Sequence, residues 1–170
     1  MKTIKKTMYL VMVFATVFFT ACSSDDDNGG DGEDGGGGSG SEFLTAKVNG
    51  TNFEAAQSPA VIVAASVNND VLAVHGGKND GETIRISIFN YDGVGTYYTG
   101  DNITNVNSLM YLTLTPSATW TSTFDIGSGT IEITSDNGTT VEGTFSFEGF
   151  NAQDSTTKNI TNGSFKAIIE

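Results

Sequence analysis

From residue 43 onward, apolar and polar side chains alternate along the chain with a period of two. The segment TIRISIFN shows this most clearly, because Ile84, Ile86 and Ile88 occupy every second position. The segments GTIEITSD, VEGTFSF and GSFKAIIE repeat the alternation. This pattern predicts strands that bury one face, and no convincing apolar stripe has the 3.6-residue spacing of a helix. The region is therefore predicted to be all-β.

Turn-forming pairs separate these runs at the spacing of β-hairpins, as at Asn49-Gly50, Asn137-Gly138 and Asn162-Gly163. The predicted strands cover residues 43–48, 51–56, 61–67, 71–76, 83–90, 95–98, 110–115, 129–135, 141–147 and 163–169. A further strand over residues 120–126 stays open. About nine to ten short antiparallel strands predict a β-sandwich or a flattened β-barrel, and the pattern does not distinguish the two.

Residues 1–21 have the order of a secretory signal peptide. Three lysines come first, an apolar run follows from residue 8 to residue 19, and the small residues Thr20 and Ala21 end the segment. The apolar run is shorter than the roughly 20 residues that a membrane-spanning helix needs. We therefore expect a cleaved leader. A buried core helix is the alternative, but the polar stretch that follows would give it nothing to pack against.

Cys22 is the only cysteine of the chain and directly follows this leader in FFTAC. The stretch resembles the lipobox of bacterial lipoproteins, in which the cysteine thiol receives a diacylglyceryl group and the leader is cut before it. The resemblance implies that Cys22 is lipidated and anchors the protein to a membrane, since two or more acyl chains give stable anchoring. A free surface thiol is the alternative. With one cysteine, the chain forms no internal disulfide.

Residues 22–42 join this cysteine to the β-domain at 43–170. From Ser23 to Glu42 the stretch is rich in glycine and acidic residues and has no apolar side chain, which predicts a disordered tether. Its first residues resemble the short acidic export signal that follows the lipidated cysteine in some Gram-negative lineages. They are Ser23, Ser24, Asp25, Asp26 and Asp27. The resemblance implies the outer face of the outer membrane. An acidic spacer facing the periplasm is the alternative.

Several segments of the β-domain resemble one protein family. They are FLTAKVNGTNFEA, GVGTYY, GTIEITSDNGTTVEGTFSFEG and ITNGSFKA. The family consists of small, uncharacterised bacterial lipoproteins whose domain has no known function. The resemblance implies an all-β lipoprotein and supplies no catalytic residues.

The charge of the chain excludes some partners. It has 20 acidic and eight basic residues, a formal charge of −12, and loses three lysines with the leader. The mature chain then has a formal charge of −15. Because such a surface repels phosphate groups, we expect no nucleic-acid partner, and we expect the membrane to hold the protein through lipid rather than charge.

The residues that usually perform catalysis are scarce. His75 is the only histidine, which excludes a zinc site with several His or Cys ligands, and no G-x-S-x-G motif accompanies it. We expect no cofactor, no metal and no enzymatic activity. A carboxylate-based hydrolase stays as the least favoured alternative, with candidate acids at Asp92, Asp101, Asp125 and Glu148.

Aromatic residues beside polar loops are the best candidates for ligand binding. Tyr91, Tyr98 and Trp120 have this setting, which suits stacking on a sugar or packing against a protein. Core packing is the alternative for each ring. Tyr97 and Tyr98 are adjacent on a predicted strand, so they should point to opposite faces. The sequence favours a non-enzymatic surface lipoprotein whose β-domain binds glycan or protein or has a structural role. A carrier that holds a small ligand in a barrel cavity is the alternative.

Overall fold

The computed structural model describes residues 42–57 and 63–170 of the chain. These residues form eleven strands and no helix, which confirms the all-β prediction. The strands are β1 (Phe43–Val48), β2 (Thr51–Glu54), β3 (Ala64–Asn68), β4 (Val71–Gly77), β5 (Thr83–Phe89), β6 (Gly95–Thr99), β7 (Ser108–Leu114), β8 (Ser117–Thr123), β9 (Ser128–Asp136), β10 (Thr140–Asn151) and β11 (Thr156–Ile168). The predicted leader, Cys22 and the tether up to residue 41 lie outside the described residues.

One antiparallel sheet includes all eleven strands. Nine of them follow the order β2-β1-β11-β10-β8-β7-β5-β4-β3, while β9 pairs with β10 and with β6. The sheet curls until its far end returns to β11. There Ala65 forms a parallel bridge with Ile169, and the amide of Glu170 donates to the carbonyl of Ala65 at 2.9 Å. The result is a half-barrel, closer to the predicted flattened barrel than to a sandwich of two separate sheets.

Strand β10 is the point at which the sheet divides. One edge of β10 pairs with β11 along most of its length. The other edge pairs with β9 from Val141 to Glu148 and with β8 at Phe150, which is opposite Thr121. Residues 124–127 connect β8 to β9. Two arms of the sheet therefore leave the same edge of β10, one through β9 and the other through β8.

The backbones approach closely where the arms separate. Gly127 has a φ of +69°, and a Cβ atom there would lie 2.4 Å from the carbonyl oxygen of Glu148. At Gly100 a Cβ atom would lie 2.4 Å from the carbonyl oxygen of Gly127. The buried hydroxyls of Thr99 and Ser122 form a hydrogen bond of 2.6 Å between the two arms. Only glycine fits at these crossing points, because any side chain would meet backbone atoms.

Apolar side chains fill the concave side of the sheet. Fully buried residues alternate along the strands, as with Ile84, Ile86 and Ile88 on β5. Aromatic rings pack among them, with centroids 6.5 Å apart for Phe53 and Tyr111 and 5.7 Å apart for Tyr111 and Trp120. These rings pack together in the interior of the half-barrel.

The observed strands differ from the predicted ones mainly at β11. Asn162-Gly163 was predicted as a hairpin turn, but it lies inside β11 as a β-bulge, with Asn162 at a φ of +52°. Because a bulge and a hairpin both need a left-handed backbone, the same residue pair suits either. Of the strand predicted at 61–67, residues 61–62 lie outside the described residues and the rest overlaps β3. The open segment 120–126 overlaps β8, which starts three residues earlier.

We predict that Gly127→Ala strongly destabilises the domain. The substitution adds a methyl group against the Glu148 carbonyl at a positive φ, which should lower the free energy of unfolding by about 2–5 kcal/mol. Denaturant titration measures this change.

Gly138→Ala is the matched control. Gly138 also has a positive φ, +81°, but a Cβ atom there meets nothing within 4 Å. The control should lose only about 1–2 kcal/mol from backbone strain. Equal losses in the two variants would contradict the proposed close contact at Gly127.

Candidate functional site

A row of polar side chains crosses the outer face of the β9 arm and continues onto β11. Tyr98 on β6 is opposite Thr130 on β9, which in turn is opposite Ser146 on β10. Thr161 follows on β11, next to the bulge. The neighbouring residues along these strands, such as Ile131 and Phe147, are buried, so the row faces outward.

A second polar row runs beside the first. Thr96 is opposite Glu132, Glu132 is opposite Thr144, and Thr144 is opposite Ser164. The side chains of both rows thus offer hydroxyl groups and a carboxylate on four adjacent strands. Neighbouring strands are about 4.8 Å apart, so each row spans roughly 14 Å.

Two adjoining depressions follow these rows and form one surface, which we call the polar groove. The first measures about 490 Å³ and includes Tyr98, Asp101, Thr130, Ser146, Glu148 and Asn159 in its lining. The second measures about 670 Å³ and includes Glu132, Thr144 and Ser164. Both contain Thr130, Ser146 and Thr161. The polar groove is open to solvent along the outer face of β6, β9, β10 and β11.

The bulge in β11 gives the groove its shape. Between the pairs Phe145–Gly163 and Phe147–Ile160, β11 has one residue more than β10. A bulge of this kind bends the strand and increases its twist. Gly163 allows the bend, because a Cβ atom there would lie 2.5 Å from the carbonyl oxygen of Phe145.

Tyr98 provides the aromatic surface of the groove, with 54% of the residue exposed. Two asparagine side chains fix its backbone: Nδ2 of Asn105 and Nδ2 of Asn107 donate to the Tyr98 carbonyl at 2.8 and 3.1 Å. Asn105 also donates to the carboxylate of Asp101 at 2.5 Å. This contact lowers the pKa of Asp101 below its ordinary value, so the carboxylate stays ionised and accepts hydrogen bonds.

The other two predicted aromatic residues lie elsewhere. Tyr91 is partly buried, its ring centroid lies 5.9 Å from that of Tyr97, and its hydroxyl donates to Asp136 at 2.6 Å. Tyr97 packs against the core, whereas Tyr98 faces outward, as the alternation predicted. Tyr91 therefore packs beside Tyr97, on the face of β6 opposite to Tyr98.

Trp120 is a core residue rather than a surface ring. It is 8% exposed, its Nε1 donates to the Thr156 hydroxyl at 2.9 Å, and Nζ of Lys158 lies 4.5 Å from its ring centroid. Its neighbours Thr119 and Thr121 face outward, so the alternation of β8 turns the indole inward. Core packing, the alternative considered for each ring, applies to Trp120.

The polar rows are the part of the site that sequence analysis did not identify. Outward threonines and serines on β9, β10 and β11 were visible as the polar half of each alternation. Their association depends on strand register, which joins residues as distant as Tyr98 and Thr161.

Two of the four candidate carboxylates of a hydrolase reach the groove, Asp101 and Glu148. The lowered pKa of Asp101 leaves it without a proton to donate near neutral pH, which is unsuitable for a general acid. His75 is exposed on β4 and is opposite Arg85 on β5. Within residues 42–57 and 63–170, no three His, Cys, Asp or Glu side chains are grouped to hold a metal. The same residues include no helix that is long and apolar enough to cross a bilayer.

The fold and the groove define a curled antiparallel β-domain with a solvent-open polar groove on its outer face. The chain belongs to the family described as "Domain of unknown function (DUF6252)", whose model matches residues 41–169. No curated protein and no solved structure matches the chain. The family match confirms the predicted membership of an uncharacterised family and covers nearly all of the predicted β-domain.

The hydrogen bond between Tyr91 and Asp136 predicts a loss of stability at high pH. Burial, and then the hydrogen bond to Asp136, raise the pKa of Tyr91 above its ordinary value of 10.0. Below the pKa that tyrosine has in the unfolded chain, the protonated phenol makes its full contribution to the free energy of unfolding. This contribution falls as the pH rises above that pKa, because the unfolded chain then loses the proton more readily than the folded one. Tyr91→Phe should therefore flatten the fall in the free energy of unfolding above about pH 10, which denaturant titrations measure.

Some alkaline slope should remain in this variant, because burial also raises the pKa of Tyr111. Tyr98→Phe is the control, since that ring is exposed and lies outside the contact between Tyr91 and Asp136. A slope that Tyr91→Phe leaves unchanged would count against the role of this hydrogen bond.

Proposed function

We propose that this protein is a non-enzymatic outer-membrane lipoprotein whose β-domain binds a glycan at the cell surface through the polar groove. The observation that supports the proposal is the position of Tyr98. Its exposed ring lies in a groove whose outward-facing side chains carry hydroxyl, carboxylate and amide groups, above a floor that includes Phe147 and Ile160.

The chemistry of the groove matches that of a sugar. An aromatic ring such as that of Tyr98 presents a flat apolar face with a polar hydroxyl at its edge, which suits the apolar face of a pyranose. Threonine and serine hydroxyls both donate and accept hydrogen bonds, while carboxylates accept them. Sugar hydroxyls also do both, so the rows of Thr130, Ser146 and Thr161 offer them matching partners.

A protein ligand is the less suitable occupant. The centres of protein interfaces are enriched in aromatic residues, methionine and arginine and are depleted of charged carboxylates. The polar groove has one exposed ring and three carboxylates, those of Asp101, Glu132 and Glu148. Its composition supports the glycan over the protein.

The two remaining alternatives have less support. The small-ligand carrier needs interior space, whereas Phe53, Tyr111 and Trp120 pack together inside the half-barrel. The carboxylate-based hydrolase needs a protonated acid, which Asp101 does not supply near neutral pH.

The location in this proposal rests on the sequence. Lipid at Cys22 anchors the chain, Ser23 to Asp27 form the export signal, and the glycine-rich tether places the β-domain outside the cell. A glycine-rich coil of about 20 residues has a root-mean-square span of about 25 Å, which separates a folded domain from the lipid surface.

We predict that Tyr98→Ala weakens glycan binding by about fivefold, because stacking on an aromatic ring contributes about 1 kcal/mol. Affinity electrophoresis against a panel of soluble polysaccharides identifies the ligands of the wild-type chain and measures this loss.

Two variants make the result specific. Tyr98→Phe retains the ring and should bind almost as the wild type does. Leu114→Ala removes an exposed apolar side chain, 64% accessible, that lies outside the groove, and it should change nothing. If Tyr98→Ala binds every polysaccharide as well as the wild type, the proposed site is wrong.

We predict that Cys22→Ser releases the protein from membranes and abolishes its labelling by a fatty-acid probe, because serine lacks the thiol that receives the lipid. Membrane fractionation measures the release. Continued sedimentation of the variant with membranes would exclude the anchor.

Protease treatment of intact cells tests the outer face. The wild-type domain should be digested, whereas the variant with Asp25, Asp26 and Asp27 replaced by alanine should be protected. A wild-type domain that resists digestion until the outer membrane is opened would place it in the periplasm.

A further inference from the structure

We infer that the glycan is an uncharged chain that lies across the strands of the polar groove, and that acidic polysaccharides are excluded from it. This inference rests on the proposed glycan-binding function and specifies the class of ligand.

The charges that line the groove have one sign. Its lining includes the carboxylates of Asp101, Glu132 and Glu148, and no lysine or arginine belongs to it within the residues that the structure describes. A uronate or sulfate group in the groove would meet these carboxylates, whereas the neighbouring Lys47 lies one strand beyond the lining, opposite Thr161. Like charges repel, and because the groove is open to solvent the repulsion is screened by salt.

Most cations of the domain lie away from the groove or are paired, but the exposed Lys47 on β1 is opposite Thr161 and lies one strand beyond the groove. Lys166 forms an ion pair of 2.9 Å with Glu142, and Lys78 forms ion pairs with Asp80 and Glu82. Lys158 lies over the ring of the buried Trp120, on the inner face of the sheet rather than the outer face that carries the groove. None of these side chains lines the polar groove.

The same carboxylates suit a neutral sugar. An ionised carboxylate has two oxygens that accept hydrogen bonds, so it can receive both hydroxyls of a vicinal diol. In Asp101 each oxygen already accepts one hydrogen bond, from Asn105 or from Asn102, and a sugar hydroxyl would use the second acceptor position of the oxygen. Sugars with free neighbouring hydroxyls are therefore the chemistry that Asp101, Glu132 and Glu148 recognise.

The rows of polar side chains set the direction in which the glycan lies across the strands. Within the groove the first row crosses four strands, from Tyr98 to Thr161, over roughly 14 Å, and the second crosses three, from Glu132 to Ser164. This distance exceeds one sugar unit, and the groove is open along the sheet. The geometry fits an internal segment of a polysaccharide rather than a single sugar.

The test compares neutral polysaccharides with their own carboxymethylated derivatives. Each pair has the same backbone and differs in charge, so affinity electrophoresis of the purified full chain isolates the electrostatic effect. We expect the neutral member to bind and carboxymethylation to weaken binding at least tenfold. The difference should shrink as salt rises, because the screening length falls from about 8 Å at physiological ionic strength to about 3 Å at 1 M.

A charge variant tests the cause of the exclusion. Glu132→Gln combined with Glu148→Gln should reduce the difference between the two members of a pair to less than threefold. Asp70→Asn combined with Glu170→Gln removes the same number of charges outside the groove and should retain the tenfold difference.

The failures of the two proposals are distinguishable. Equal binding of neutral and carboxymethylated chains that still depends on Tyr98 overturns the exclusion of acidic glycans and leaves glycan binding standing. Absence of binding to every polysaccharide overturns the proposed function itself. Competition by a monosaccharide as strong as that of an oligosaccharide overturns the assignment of an extended chain.

Discussion

The architecture depends on how β10 uses the hydrogen-bonding groups of one edge. A strand has a limited number of backbone donors and acceptors on each side, and β10 divides those of one side between β9 and β8. The division requires residues 124–127 to cross the edge at short distance. Gly127 and Gly100 permit this, because a Cβ atom at either position would lie 2.4 Å from a backbone oxygen. The two arms of the sheet, and therefore the whole half-barrel, begin from this crossing.

The position of the candidate site follows from the same division. The arm through β9 ends in β6, so Tyr98 lies on a short strand that pairs on one side with β9. Thr99, the next residue, turns inward and bonds to Ser122 on the other arm. Because side chains alternate along β6, the inward contact of Thr99 directs Tyr98 outward into the groove. A hydrogen bond in the core thus positions the ring on the surface.

Sequence analysis predicted the parts of the fold that depend on local alternation. The first strand was predicted with its observed bounds, and β5 to within one residue, because each has one face in the core. It was wrong at Asn162-Gly163 because a left-handed backbone occurs in turns and in bulges alike. It placed Trp120 among surface candidates because its neighbours are polar, yet only the register of β8 shows that the indole is inside. The groove needs four strands in register, and no single segment contains that information.

Two sets of acidic residues in the domain differ in what they contact. Asp80, Asp136 and Asp154 accept hydrogen bonds from backbone amides two residues ahead, so they stabilise turns. Glu132 and Glu148 form no ion pair within the described residues and face the polar groove. A solubilising role explains acids anywhere on a surface, but it does not explain why outward hydroxyls surround these two. Their setting distinguishes them from the acids that stabilise turns, and it is the reason that we propose them as the carboxylates through which the groove selects its ligand by charge.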